Sequence, residues 1–424
     1  MAAQIAGDAA ADASGRAEGM WSVGGLSPAW RSVFVSALML ALGASVVLVL
    51  SFGPFAQAIG RDNHWAPPQV SLGATIIALM LIPLSPLQGA LVDRFGARLL
   101  ALISLPIFGL SLAGMYWLPA RLEAFYAACV WLPIAGLGLW PLTFATVATS
   151  WFTRRLGLAL GVVMTGIGVG GILIPAALGF VLPTYGWRMA YLLIGLLVLF
   201  VVFPVAVWGL REGERARSTG VGADAPPLEG YSLGEGLASR SFLIIAGAFA
   251  VLGIFSSSLI VHQVGILTSA GMSVGAAISL QALVGAATIV GRLGSGWLLD
   301  KVPAAALATV LFLCGAGVCA IYASPFAMTY AAVAAIGVGL VIGGEFDLLA
   351  FVIRRYLGQR AFGKLYGFLF SVFQLGAAAG TYALALAPQQ FGSYRPGLIV
   401  LGGLCLLGAT LFLAIGPYRF AASK

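Results

Sequence analysis

Apolar residues along this chain collect into long runs separated by short polar breaks. Neither the strict alternation of a half-buried strand nor the single apolar stripe of a surface helix is visible. The runs fall at about 32–58, 68–92, 97–118, 122–150, 156–182 and 187–210, then at about 241–269, 273–300, 304–324, 326–353, 362–388 and 394–417. Crossing about 30 Å of hydrocarbon takes about 20 residues of α-helix. A backbone in lipid must satisfy its own hydrogen bonds, so runs of this length predict helices. The pattern therefore predicts an all-α membrane protein with 12 transmembrane helices, six on either side of a longer break.

That break, residues 211–240, contains GERARSTG and ADAPPLEG, a polar stretch bearing Pro and Gly that cannot bury a core. It predicts a linker between two six-helix bundles, 30–210 and 241–418. Residues 1–29 are small and polar with no apolar centre, so they read as a disordered tail and not as a cleaved signal. Residues 419–424 form a short C-terminal tail. The placement of Lys and Arg orients the bundles. With the N-terminus inside, Arg61, Arg121, Arg188 and Arg395 lie in outer loops and Arg292 within a span, leaving 17 of the 22 basic residues inside. Both termini and the linker are then cytoplasmic, and the chain is multi-pass in a bacterial inner membrane.

Composition agrees with a lipid environment: 61% of the 424 residues are hydrophobic and 8% charged, where a soluble domain carries about 25% charged residues. The net charge of +8 bears on topology and anionic headgroups, since no basic face suited to nucleic acid is present. Cys129, Cys314, Cys319 and Cys405 lie in apolar runs without metal-ligand spacing and read as small hydrophobes. Two isolated histidines, His64 and His262, do not make a metal site. With no nucleophile–base set and no phosphate loop, an enzyme is not expected, nor any cofactor.

Two segments repeat across the halves. The second span ends GALVDRFGAR (89–98) and the eighth ends GSGWLLDK (294–301), each with a glycine and then an Asp–basic pair. A transporter built from two related halves predicts such a repeat. GALVDRFGAR resembles the loop signature of the major facilitator superfamily, with Asp300 and Lys301 as its degenerate copy. That resemblance implies two six-helix bundles around a central cavity and alternating access. It also implies gating and structural roles for Gly89, Asp93, Arg94, Gly96, Arg98, Asp300 and Lys301. SWFTRRLGLALGVVMTGIGVGG (150–171) is similar to the fifth-helix signature of monocarboxylate transporters, and SFGPFAQAIGRDNHW (51–65) resembles the first-helix exit of bacterial members and of oxalate–formate antiporters. The acidic-Gly motif of animal carriers is missing from the first helix. Glycines in 161–171 and 284–296 sit at helix-face spacing and predict close backbone approach.

Three charges fall inside spans: Arg292 in the eighth, Glu345 and Asp347 in the tenth. A charge at the bilayer centre costs about 2.5–3.5 kcal/mol on insertion scales, so such groups face protein or water and find partners. Arg292 is eight residues before Asp300, and Glu345 and Asp347 are nine and seven before Arg354. At about 1.5 Å per residue, all three lie at one level, about 10–14 Å deep. Two acids at i and i+2 point about 200° apart, so they do not both face Arg292. One acid is expected to couple to protons, with Asp347 favoured, and the other to contact a neighbouring helix. A bidentate guanidinium is suited to a carboxylate, and RLGSGWLLDK (292–301) resembles the eighth-helix pattern of the same carriers, which implies that Arg292 binds substrate. The antiporters' second cation, in the eleventh helix, is replaced here by Phe373. One buried cation fits a monocarboxylate.

Trp140 and Thr143, with Thr146, make a rough stripe on the fourth span. Gln281 and Gln374 mark the eighth and eleventh, Ser256, Ser257 and Ser258 the seventh, and His262 is a further proton-relay candidate. Aromatic and polar groups of this kind suit an organic anion. The expected function is proton-coupled symport of a monocarboxylate or related small organic anion by alternating access, as a monomer in the lipid bilayer. The alternatives are an organic-anion exchanger or a drug efflux pump of the same fold. A non-transporting sensor usually adds a soluble domain, and the insert between the halves is only about 30 residues.

Overall fold

The computed structural model describes residues 21–22, 25–153, 155–213 and 229–420. Most of the expected tail (1–20, 23 and 24) and most of the linker (214–228) lie outside the described residues. Within them the chain divides into two compact units, Met1–Leu84 with Gln88–Leu228, and Ser85–Leu87 with Glu229–Lys424.

In unit 1 a two-residue antiparallel pair, β1 (Trp21–Ser22) with β2 (Gly25–Leu26), precedes the first helix. Helix α1 (Pro28–Ala41) is capped by Ser27, whose hydroxyl accepts from Trp30 N at 3.4 Å, and it continues as a π-helical turn, Ser45–Leu50. There follow α2 (Phe52–Asn63), α3 (Pro67–Phe95), α4 (Ala97–Gly114), α5 (Leu122–Ala135) and α6 (Pro141–Trp151). Helices α7 (156–185) and α8 (187–209) run on from one another and turn at Gly186, whose φ of +76° favours glycine. Unit 2 holds α9 (Leu233–Ala238), α10 (Arg240–Ser269), α11 (Val274–Leu299), α12 (Ala304–Ala323), α13 (Ala331–Val352, with a π turn Ile353–Leu357), α14 (Phe362–Phe391) and α15 (Arg395–Leu413). Counting α5 and α6 as one broken span, the described residues contain twelve spans.

The fourth span is not the continuous helix its hydropathy predicts. It passes through a 3-10 turn, Leu137–Leu139, and restarts at Pro141, with Trp140 extended at ψ 160°. A residue before proline is pushed out of the α region, and a proline suits the first helical position. Trp140 therefore caps α6 from outside, and it does not share a helical stripe with Thr143 and Thr146.

Glycines set the helix spacing. In unit 1 a methyl added at Gly166 would lie 2.0 Å from the Ala37 carbonyl oxygen, and one at Gly170 would lie 2.1 Å from that of Ala41. Helices α1 and α7 thus meet backbone to backbone, the close approach expected of the 161–171 run. In unit 2 the same packing joins α10 to α14, where a methyl at Gly253 would meet Phe373 O at 2.1 Å. Helices α11 and α13 close differently. Within the 284–296 run Gly285 and Gly294 have open space around them and a methyl at Gly291 would meet Leu340 O at 2.9 Å, whereas methyls at Gly339 and Gly343 would strike Val284 O and Thr288 O more closely, each at 2.5 Å.

Glycine and acid also shape the motif at the α3–α4 turn. Gly96 has a φ of +84°, and the carboxylate of Glu212 sits beside it and accepts from Arg98 N at 2.9 Å. Gly213 N donates to Ser150 Oγ at 2.9 Å. The far end of the break is equally built in. Ser232 and Glu235 form a capping box around the start of α9, with Ser232 N donating to Glu235 Oε2 at 2.8 Å. Tyr231 N donates to Leu357 O at 3.0 Å, and Gln359 N to Glu229 O at 2.8 Å. Residues 229–240, which hydropathy assigns to the linker, are therefore folded into unit 2.

At the opposite end of unit 1, Asp62 Oδ2 accepts from Trp187 Nε1 at 2.9 Å and from Arg188 Nη1 at 2.5 Å, tying α2 to the start of α8. The indole hydrogen bond, then Arg188, holds this carboxyl below the usual carboxylate range, against the opposing effect of partial burial. A depressed folded-state value means that the stabilisation is present above the ordinary carboxylate range and lost as pH falls through the folded value. Thermal unfolding of the purified chain and its Asp62→Asn variant checks this: wild type should be the more stable at neutral pH, with the gap closing below about pH 4. A second expectation concerns packing. Gly170→Leu should cost at least ~2 kcal/mol or prevent folding, while Gly179→Ala, with nothing within 4 Å of its added methyl, should stay within about 1 kcal/mol of wild type. Melting temperature and monodispersity in detergent read both.

Candidate functional site

The contact between α11 and α13 places the charged groups. Gly343 packs so tightly on α11 that an added methyl would lie 2.8 Å from Arg292 N. Arg292 therefore stands beside the segment of α13 that bears both acids. Arg292 is 4% exposed, Glu345 3% and Asp347 fully buried.

The two acids point to different helices, as i and i+2 positions must. Ser256 Oγ of α10 donates to Glu345 Oε2 at 2.6 Å. Ser295 Oγ of α11 lies 3.2 Å from Asp347 Oδ2 and 3.2 Å from the Arg292 carbonyl oxygen, so one proton serves two acceptors. Asp347 is one helical turn beyond Gly343, so it lies on the face of α13 that packs against α11 and Arg292. The set is nevertheless under-satisfied: Arg292 Nε and Nη1, Asp347 Oδ1 and the Tyr366 hydroxyl are all buried without a hydrogen-bond partner. Burying a polar group unpaired costs about 1–3 kcal/mol, and more for a charge. Several such groups in one part of unit 2 make this the candidate binding site.

An aromatic wall stands against this set. The Phe346 ring lies 5.9 Å from Arg292 Cζ, and it contacts Phe370 and Phe373 of α14 at centroid distances of 5.7 and 5.4 Å. Phe373 is thus brought to the Arg292 group. Gln374 follows it on α14, half-buried. Gln281 is eleven residues before Arg292 on α11, about 16 Å away along the axis, and its Nε2 donates to Ile260 O at 3.3 Å. His262 Nε2 is 3.0 Å from Thr381 O on α14, two turns along α10 from Ser256. Neither joins the charged set.

Trp140 and Thr143 belong to unit 1, where Gln88 Nε2 donates to Thr143 Oγ1 at 2.9 Å, while Trp140 Nε1 is buried without a partner. Gln88 is five residues before Asp93, as Ser295 is five before Asp300. Gln88 and Ser295 thus hold matching positions of the repeat, and each bonds the fourth span of its own unit, Gln88 to neutral Thr143 and Ser295 to Asp347. Sequence reading passed over Gln88, Ser295, Phe346, Phe370 and Tyr366; the repeated Asp–basic pair is the signal that leads to the first two.

The motif residues lie away from these side chains. Gly89 is buried in α3, Arg94 stacks 5.1 Å over Phe95, and Arg98 Nη2 donates to Val207 O at 3.4 Å. Asp300 ends α11, and Lys301 Nζ is 3.6 Å over the Trp297 ring. A groove of about 740 Å³ in unit 1, between α2 and the α7–α8 turn, is lined by Arg61, Asp62 and Arg188. Its carboxylate is the one already held by Trp187 and Arg188, so it lacks the buried unpaired groups of the Arg292 set.

Residues 32–381 match the Major Facilitator Superfamily. Monocarboxylate transporter 11 of Mus musculus is 26% identical over 402 residues, covering 91% of this chain and 87% of its own. Monocarboxylate transporter 13 of Rattus norvegicus is 27% identical over 80% of this chain and 77% of its own. The aspyridones efflux protein of Emericella nidulans is 26% identical over 63% of this chain and 54% of its own. Among solved structures, the proton:xylose symporter XylE superposes with a TM-score of 0.67 at 13% identity, covering 92% of this chain and 96% of that one. The human organic anion transporter MFSD10 gives 0.65 at 16%, covering 91% and 99%. Twelve spans in two units among the described residues, a family match over most of the chain and relatives named as transporters lead to one conclusion: this is a multi-pass membrane transporter, not an enzyme, and it belongs to the Major Facilitator Superfamily.

Proposed function

We propose that the chain is a secondary active transporter that carries a monocarboxylate or related organic anion together with a proton. The observation that supports this most is the pairing of incomplete opposites: Arg292 has two unpaired nitrogens, and Asp347 beside it has one unpaired oxygen. Without substrate, Asp347 is the counter-charge of Arg292. A carboxylate that takes the free guanidinium nitrogens competes with that role, and a proton on Asp347 keeps the buried charge constant. One anion and one proton then move together. Glu345, held by Ser256 on the other side of α13, is a positioning group in this scheme.

The names of the relatives lend support, because two are monocarboxylate transporters and one structural neighbour is an organic anion transporter. The asymmetry of Lys and Arg supports cytoplasmic termini; a bacterial inner membrane and a monomeric state complete this reading. Asp93, Arg94, Arg98, Asp300 and Lys301 serve gating at the cytoplasmic ends of α3 and α11. A second reading, export or anion exchange, is favoured by the efflux protein among the relatives.

Uptake of labelled monocarboxylates into proteoliposomes tests the proposal. Wild type should accumulate substrate several-fold more when an inward proton gradient is imposed. Arg292→Gln should lower uptake roughly 10- to 100-fold, as loss of a charged hydrogen-bonding partner does. Asp347→Asn should keep exchange down a substrate gradient yet lose the response to protons, and Glu345→Gln should retain that response. Uptake indifferent to the proton gradient, but accelerated by substrate on the other side, establishes exchange instead.

A further inference from the structure

Helix α14 carries Tyr366, Phe370 and Phe373 at i, i+4 and i+7, so three rings stack along one face. Successive rings are nearly parallel, with interplanar angles of 18° and 17° and centroids 6.4 and 6.1 Å apart. Phe346 of α13 tilts against the last two, at 41° and 57°. On α13 Phe346 lies between Glu345, which reaches α10, and Asp347, which reaches α11, so it occupies the arc between the two acids. Of the four rings, Tyr366 and Phe373 are buried, while Phe346 and Phe370 are only half-buried. The Phe346 ring therefore stands 5.9 Å from the guanidinium carbon, with the half-buried Phe370 ring packed against it at 5.7 Å.

These two rings are apolar and flat, and the cation beside them has unpaired nitrogens. Aromatic pairs favour offset or edge-to-face contacts with centroids about 4.5–7 Å apart, beyond what area burial alone supplies. The Phe346 ring and the guanidinium carbon are 5.9 Å apart. A ligand that satisfies both must hold its carboxylate within one or two bonds of a flat apolar body. Acetate leaves the rings uncovered, and a long flexible chain gains nothing from their planarity.

We infer that the preferred cargo is an aromatic monocarboxylate, an arylcarboxylate or arylacetate whose carboxylate takes Arg292 and whose ring packs on Phe346 and Phe370. This rests on the proposal that Arg292 receives the carboxylate, and it adds the nature of the group attached. Phe346 and Phe370 are then the residues that set specificity, and Phe346 also shields the guanidinium from solvent.

Competition binding on the purified full chain separates the two claims. Benzoate and phenylacetate are compared with cyclohexanecarboxylate and cyclohexylacetate, which keep the carboxylate and nearly the size but lose the π-face; acetate and lactate complete the series. The aryl acids should bind roughly tenfold more tightly than their cyclohexyl counterparts, the scale of one or two aromatic contacts. In Phe346→Leu and in Phe370→Leu that ratio should fall toward one, and Arg292→Gln should abolish binding of both kinds. Equal binding of aryl and cyclohexyl acids by the wild type overturns the aromatic preference, and so does an unchanged ratio in both leucine variants. Tight Arg292-dependent binding of acetate or lactate without any aryl preference overturns this inference alone. Aryl binding that survives Arg292→Gln, or no carboxylate binding at all, overturns the proposed function as well.

Discussion

The backbone contact between α11 and α13 is the constraint on which the chemistry of unit 2 depends. Gly339 and Gly343 let the two helices approach until carbonyl oxygens of α11 occupy the space where side chains of α13 would be. At that separation, Arg292 and Asp347 are both buried where the two helices meet. A larger residue at either glycine would widen the gap between the helices that carry them. Packing and function thus share a cause, because helices in lipid gain little from hydrophobic contact and associate through close fit and polar bonds.

The two units use one architecture for different ends. Gln88 and Thr143 bridge α3 to α6 with a neutral bond, and Ser295, at the position that matches Gln88, bridges α11 to Asp347 of α13 with a charged one. A neutral pair can be fully satisfied within the protein. The charged one cannot be, since Ser295 supplies one proton to two acceptors while Arg292 keeps unused donors. Incomplete pairing of buried polar groups destabilises the structure, and this deficit is what the proposed binding of an anion and a proton would relieve.

The helices and their number were legible along the chain, because length and apolarity decide what spans a bilayer. The level shared by Arg292, Glu345 and Asp347 follows from counting residues to the nearest polar end. The divergence of the two acids follows from helix geometry. Their partners, Ser256 and Ser295, were less legible, since many serines line these helices and only the packing selects two. The break in the fourth span was visible at Trp140–Pro141 but is hidden by hydropathy, which scores tryptophan and proline without regard to backbone conformation. The capping box at Ser232 and Glu235 was likewise present in a segment whose polarity suggested only a linker.

The sequence by itself determined that the chain lives in lipid, that it repeats, and that one half carries ionisable groups the other lacks. These properties depend on composition, period and order, which need no knowledge of neighbours. Only the tertiary structure decided which acid stands beside Arg292, which glycines close the helices, and which rings flank the guanidinium. Those outcomes depend on the rotation of each helix about its axis. In an almost uniformly apolar helix, hydropathy leaves that rotation open, and contact with neighbouring backbones settles it.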